Sequence, residues 1–232
     1  MRSRTVLLLR HGRTAYNAGG RLQGQVDIPL DEVGRWQVQE AARDLVPRHV
    51  PTRIVSSDLS RARATAQAVA DLVGVEVQLD DRLRERNFGD WEGMTAEEIS
   101  GRWPREYAVW RSGHDPERTG AETRAVVAAR MERAIAEHAA STEPSGALLV
   151  VSHGAALTLG LTALLGLDPN GWRGLVGLSN AHWAVLRSNA LDSVPGWRLE
   201  AHNLGPSVQL SDWDAGVGSE SLPSSAADAL RP

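Results

Sequence analysis

Two histidines, two arginines and one glutamate are the residues of this sequence best suited to chemistry. His11 stands in Arg10-His11-Gly12, directly after the short apolar, β-prone run Thr5–Leu9. His153 stands in Ser152-His153-Gly154, after Ala147–Ser152, the strongest strand signal in the chain. Arg61 falls in the first turn of a helix that follows a further strand, Arg53–Ser56. In open parallel sheets, ligands bind beyond the carboxyl ends of the strands, so Arg10, His11, Arg61 and His153 are expected at one mouth. Two guanidinium forks there match the oxygens of a phosphate dianion. Their charge disfavours a protonated His11, which leaves a neutral imidazole nitrogen to attack phosphorus. The charge of a transferring phosphoryl group spreads over three oxygens, which Arg10, Arg61 and His153 can hold.

A leaving alkoxide needs a proton. Glu85, in Leu83-Arg84-Glu85-Arg86-Asn87, is the best candidate donor, with Asp90 and Glu92 as competitors. Read as extended backbone, this run puts Leu83, Glu85 and Asn87 on one face, and Arg82, Arg84 and Arg86 on a solvated one. Burial beside a phosphate dianion favours a protonated carboxyl, and the same group could later accept a proton from water.

The elements that must position these residues alternate. Asp31 is a candidate N-cap for a helix to about Val46. Ser57 or Asp58 is the expected cap of the next helix, whose apolar positions Leu59, Ala62, Ala66, Val69 and Val73 make one face. A third short strand is expected over Val75–Leu79. Thr95 and Glu98 read as a capping box for one helix to about Trp110, carrying the stripe Trp103, Tyr107 and Trp110. A long helix follows over Thr123–Ala140, and a buried one over Ala155–Leu165. Two late strands, Ala181–Arg187 and Trp197–Asn203, read as antiparallel. The pattern predicts an α/β sandwich with a mostly parallel sheet, one domain over 1–210, and a disordered Ser/Asp/Gly/Pro-rich tail over 211–232.

Composition narrows the chemistry. The 232 residues include no cysteine, which removes disulfides, thiolate metal sites and cysteine nucleophiles. All 25 basic residues are arginine, so neither a Walker-type loop nor Schiff-base catalysis is available. A net charge of −4 gives no general attraction to nucleic acid or an acidic membrane. Apolar runs are strand-sized, and the basic start leads into too few apolar residues for a signal peptide, so a cytoplasmic location is expected.

The run Arg10-His11-Gly12-Arg13-Thr14-Ala15-Tyr16-Asn17 resembles the opening motif of the histidine phosphatase superfamily, the phosphoglycerate mutase-like enzymes. Gln23-Gly24 and Leu30–Arg35 continue it. Ser56–Ala62 resembles the family's second arginine site, Leu83–Glu85 with Gly89–Gly93 its acid site, and Ser152-His153-Gly154 its second-histidine site. The likeness runs from about Arg4 to Asn203. It implies a three-layer α/β/α sandwich and phosphorylation of His11. It also implies phosphoryl binding by Arg10, Arg61 and His153, helped by Asn17 and the Gly24 and Gly154 backbone, with Glu85 as proton donor, Gln23 near the substrate, and no metal or other cofactor. Within the superfamily, Tyr16-Asn17, Arg21–Gln25, Ser56–Leu59 and Asn180–Trp183 are most similar to the branch acting on glucosyl-3-phosphoglycerate. One departure is Gly120-Ala121-Glu122-Thr123, where the family often has Gly-Gly-Glu-Ser; alanine lacks glycine's freedom at positive φ.

The leading expectation is therefore a phosphatase acting on a small-molecule phosphate ester. A phosphoglycerate mutase would return the phosphoryl group to a hydroxyl; the 67 residues between Glu85 and His153 are short for its usual closing insertion. A catalytically inactive phosphate-binding module would not need all five side chains. A serine hydrolase lacks its Gly-x-Ser-x-Gly elbow, and an aspartate-nucleophile phosphatase lacks Asp-x-Asp after the first strand. Exposed Trp or Leu on the late strands could build a homodimer.

Overall fold

The computed structural model describes residues 4–117, 120–189, 193–208 and 210–216. Six strands form one sheet: β1 (Thr5–Arg10), β2 (Pro51–Ser56), β3 (Val77–Leu79), β4 (Ala147–Ser152), β5 (Trp183–Ser188) and β6 (Trp197–Leu204). Their order is β3-β2-β4-β1-β5-β6; the first four pair in parallel, β5 pairs antiparallel to β1, and β6 pairs antiparallel to β5. The helices are α1 (Ala15–Ala18), α2 (Glu32–Arg48), α3 (Ser60–Val73), α4 (Ala96–Arg102), α5 (Pro104–Arg111), α6 (Arg124–Ala140), α7 (Gly154–Leu164) and α8 (Leu210–Ala215).

β1 has a strand on each side and helices on each face, which is why it is an unbroken apolar run. Its side chains alternate. Val6 and Leu8 pack with α6 and α7, while Leu7 and Leu9 pack with α2 and α3. Helices thus cover both faces, giving the three layers the resemblance implied. Arg10 on β1 pairs in register with Ser152 on β4, so the two histidine loops leave the sheet at the same height.

Several local expectations hold. Asp31 caps α2 by accepting from Gly34 N at 2.7 Å, and Thr95 and Glu98 form a reciprocal capping box on α4. Others are corrected. The helix expected over 95–110 is two helices, because Pro104 opens a second one after Trp103. Neither Ser57 nor Asp58 caps α3; Leu59 is at that position, and Asp27, distant in sequence, accepts from Ser60 N at 2.8 Å. Ala181 has φ 55, so β5 begins only at Trp183. The tail expected from Ser211 starts too early. Residues 210–215 form α8, whose Trp213 is 1% exposed between Trp36 and His182; residues 217–232 lie outside the described ones. The late strands leave no Trp or Leu exposed: Trp183 is buried, and Trp197 and Leu199 pack half-buried against the core. No helix of the described residues is long and apolar enough to cross a membrane.

Candidate active site

The carboxyl ends of β1, β2 and β4 deliver His11, Ser57 and His153 to one buried site. The two imidazoles lie 5.1 Å apart, each nearly sealed from solvent. His11 Nδ1 is 2.7 Å from Gly12 O. A carbonyl oxygen only accepts, so Nδ1 carries the proton and Nε2 keeps its lone pair. Burial, then the charges of Arg61 and Arg10, hold the His11 pKa well below the ordinary histidine value. His11 is therefore a neutral imidazole with a defined nucleophilic nitrogen. Gly12 is required by contact: a Cβ there would lie 2.6 Å from Gly34 O at the start of α2.

Arg61 is fully buried in the first turn of α3 and donates in three directions: to Val26 O and Gly24 O, each at 2.8 Å, and to His153 Nδ1 at 3.2 Å. That last bond makes Nδ1 of His153 an acceptor, so its proton sits on Nε2 and is donated to Ser57 Oγ at 2.9 Å. Burial and Arg61 also hold the His153 pKa well below its usual value. Arg10 donates Nη1 to Leu178 O at 2.6 Å, while its buried Nε has no protein partner among the described residues. An arginine N–H left over in a site of this charge is a donor for an anion. A Cβ at Gly154 would press within 3.4 Å of that guanidinium.

Glu85 is buried, as the alternation with Leu83 predicted, although the backbone differs. Asp81–Leu83 is a 3-10 turn, and residues 84–87 are irregular rather than a strand. Arg84 pairs with Asp58. Arg86 is not solvated: it is 3% exposed, pairs with Asp115 at 2.6 Å and donates to Glu122 O at 2.9 Å. Both oxygens of Glu85 accept from the start of α7, Oε1 from Ala156 N at 2.8 Å and Oε2 from Ala155 N at 3.1 Å; Arg86 N adds a third bond at 2.8 Å. Glu85 thereby caps, from elsewhere in the chain, a helix whose own N-cap His153 supplies no side-chain cap. It is the leading carboxylate acting on both Arg10 and Arg61.

The remaining expected residues frame this centre. Gly24 takes φ 54, and a Cβ there would collide with Glu92 Oε1, which itself accepts from Gln25 N and Phe88 N at 3.0 Å. Glu92 is thus a brace between two loops. Asn17 caps back onto Thr14, and its Oδ1 accepts from Asn180 Nδ2 at 3.3 Å. Gln23 is buried and bonded to Thr14 Oγ1 at 2.9 Å. In the divergent loop Gly120 alone carries positive φ, at 76°, so Ala121 bears no strain.

Four contributors escaped sequence reading. Ser57 fixes His153. Asn180 donates to His11 O at 3.1 Å. Arg130 on α6 donates to the carbonyls of Arg82, Arg84 and Glu85 at 2.7–3.0 Å, and Glu122 grips the same guanidinium. The retained glutamate of Gly120-Ala121-Glu122-Thr123 was the available signal for that clamp. Among the described residues no group of three or more His, Asp or Glu side chains could hold a metal ion.

The profile of the Histidine phosphatase superfamily (branch 1) matches residues 6–203. The chain belongs to the histidine phosphatase superfamily. This superfamily member is 39% identical over 222 residues to a glucosyl-3-phosphoglycerate phosphatase of Mycobacterium tuberculosis, covering 90% of this chain and 98% of that one. It is 38% identical over 181 residues to a probable phosphoglycerate mutase GpmB of Erwinia tasmaniensis, covering 73% and 79% respectively. Among solved structures, it superimposes on mycobacterial glucosyl-3-phosphoglycerate phosphatase Rv2419c in complex with VO3 with a TM-score of 0.79, at 39% identity, over 88% of this chain and all of that one.

Proposed function

We propose that this histidine phosphatase superfamily member hydrolyses a small-molecule phosphate monoester through a phosphohistidine on His11. The observation that carries the reading is the Nδ1 bond to Gly12 O, which leaves Nε2 unprotonated in a site with two buried guanidinium groups. In the first step the Nε2 lone pair forms an N–P bond as the ester P–O bond breaks, and Glu85 passes a proton to the leaving alkoxide. Arg10 and Arg61 neutralise the phosphoryl oxygens and His153 adds a hydrogen bond from Nε2–H, with Asn17 and the Gly24 and Gly154 backbone beside them and Gln23 behind. In the second, Glu85 takes a proton from water, whose oxygen displaces His11 from phosphorus.

The proposed substrate is glucosyl-3-phosphoglycerate or a related sugar or glycerate phosphate, on the strength of the mycobacterial relatives. A phosphoglycerate mutase reading has the GpmB relative in its favour; it differs only in the acceptor of the second step. Turnover of glucosyl-3-phosphoglycerate, 3-phosphoglycerate, sugar phosphates and nucleotides is the deciding assay. We expect release of inorganic phosphate, acid-labile phosphate on wild-type protein, and no turnover by His11→Ala. Mutase activity stimulated by 2,3-bisphosphoglycerate would replace the phosphatase reading, and robust hydrolysis by His11→Ala would end both.

A further inference from the structure

Beside Arg10 and Gly154 opens a cavity of about 540 Å³ whose other walls come from the end of α5, the start of α6 and the loop after α7. Arg86, Arg111, Arg124 and Arg173 stand around it, with Trp110 and Phe88 between them, and no acidic side chain lines it. Among the described residues only Arg86 has a carboxylate partner: Asp115, whose second oxygen accepts from Arg124 N at 2.7 Å. The Arg124 guanidinium donates to Pro169 O at 3.0 Å. Arg173 donates to Asn170 O at 2.6 Å and Trp172 O at 2.9 Å, and also to Gly113 O. Carbonyls orient these forks without neutralising them. Arg111 is exposed and has no carboxylate partner among the described residues. Three cations without a carboxylate ion-pair partner among the described residues thus face one cavity; burial, then the charges of Arg173 and Arg86, lower the Arg124 pKa against the opposing charge of Asp115.

The transferring phosphoryl group is served by Arg10, Arg61 and the histidines at the strand ends. Charge on α5, α6 and the loop after α7 is surplus to that step. Trp110 is held edge-on against Trp91 at 5.9 Å, a fixed apolar surface among the arginines. We infer that this cavity is a specificity subsite for a carboxylate carried on the same molecule as the phosphate ester, with Arg124 and Arg173 as its principal ligands and Trp110 and Phe88 receiving the carbon skeleton. This rests on the phosphatase reading and selects, among phosphate monoesters, the phosphorylated hydroxy acids.

The test compares 3-phosphoglycerate with glycerol 3-phosphate, which lacks the carboxylate, and uses p-nitrophenyl phosphate as a reporter of phosphohistidine chemistry. Wild type is expected to favour 3-phosphoglycerate by about 10- to 100-fold in kcat/KM, the worth of one charge-assisted hydrogen-bonded pair. The Arg124→Gln/Arg173→Gln double variant should compress that ratio about tenfold or more, chiefly through KM for 3-phosphoglycerate. An unchanged ratio in the folded double variant, or no preference in wild type, overturns the inference. Should the double variant not fold, the wild-type ratio and its fall in the single variant of the exposed Arg173, Arg173→Gln, decide in the same way. If p-nitrophenyl phosphate is hydrolysed while the preference is absent, the subsite alone is wrong. If none of the three esters is hydrolysed, the phosphatase reading falls with it.

Discussion

At the floor of the site, His11, Arg61 and His153 are each fixed by hydrogen bonds to groups at the ends of strands, whereas at the rim Arg111, Arg124 and Arg173 hang from helix termini and loops. The floor side chains are nearly inaccessible to solvent; Arg111 and Arg173 are exposed. A proton or phosphoryl transfer loses rate when its groups shift by an ångström, so the chemistry sits on the rigid sheet. Recognition of the rest of a ligand tolerates movement and change, and loops supply it. The difference shows how one framework can keep its reaction while exchanging its substrate.

The largest effect that would break this comparison comes from behind the floor. Trp213 donates to Asn180 O at 2.9 Å, and Asn180 in turn holds His11 O. Trp213→Ala is expected to cost about 3–5 kcal/mol in urea unfolding, as for a fully buried tryptophan. A loss under about 1 kcal/mol would mean that α8 is not part of the floor's support.

Arg130 tests the boundary between the two regions, because it reaches Glu85 only through the backbone of its loop. Arg130→Met should lower kcat about 10- to 100-fold on an alkyl phosphate, whose leaving group needs a proton, and much less on p-nitrophenyl phosphate. An equal fall on both esters would show Arg130 supporting the whole floor instead of positioning Glu85.

An effect spread gradually over pH sharpens the contrast. His11 and His153 stay neutral in the folded protein well below the ordinary histidine pKa of 6.5. The unfolded chain protonates both near that value, so it binds more protons below pH 6.5 and stability falls as the pH is lowered. Each contributes up to about 1.4 kcal/mol per pH unit. Thermal unfolding from pH 8 to pH 5 should therefore be level and then decline. His49 and His182, whose pKa values burial also lowers, add to the decline; His153→Asn should make it shallower, while Arg124→Gln should leave its slope alone, since guanidinium does not titrate there.

What could be read from the sequence was what short stretches encode. β1 and β4 announce themselves by apolar runs, Asp31 and Thr95 by capping chemistry, Arg10, His11, Arg61 and His153 by lying at or after strand ends, and Glu85 by its alternation with Leu83. Apart from the local breaks at Pro104 and Ala181, the misreadings share a cause: each depended on a partner far along the chain. Asp27 caps α3 across 33 residues, Asp115 draws Arg86 inward across 29, and Ser57 meets His153 across 96. Local periodicity holds no record of such pairs. The same holds for Arg130, whose helix position gives no hint of the carbonyls it gathers, and for Trp213, which lies in a polar stretch yet is buried.

The loop that follows β1 also bears on the order in which the molecule can be finished. Arg13, two residues past His11, donates to Asp214 O, and Gln37 donates to Trp213 O at 2.8 Å, spans of 201 and 176 residues. β1 itself is bracketed by β4 and β5, synthesised more than a hundred residues later. β1 and the loop after it thus wait for segments made long after them. Such non-local pairing makes for slow folding and leaves an apolar strand unpaired during synthesis. The nucleophile's loop acquires its final shape only when the two ends of the described chain have met.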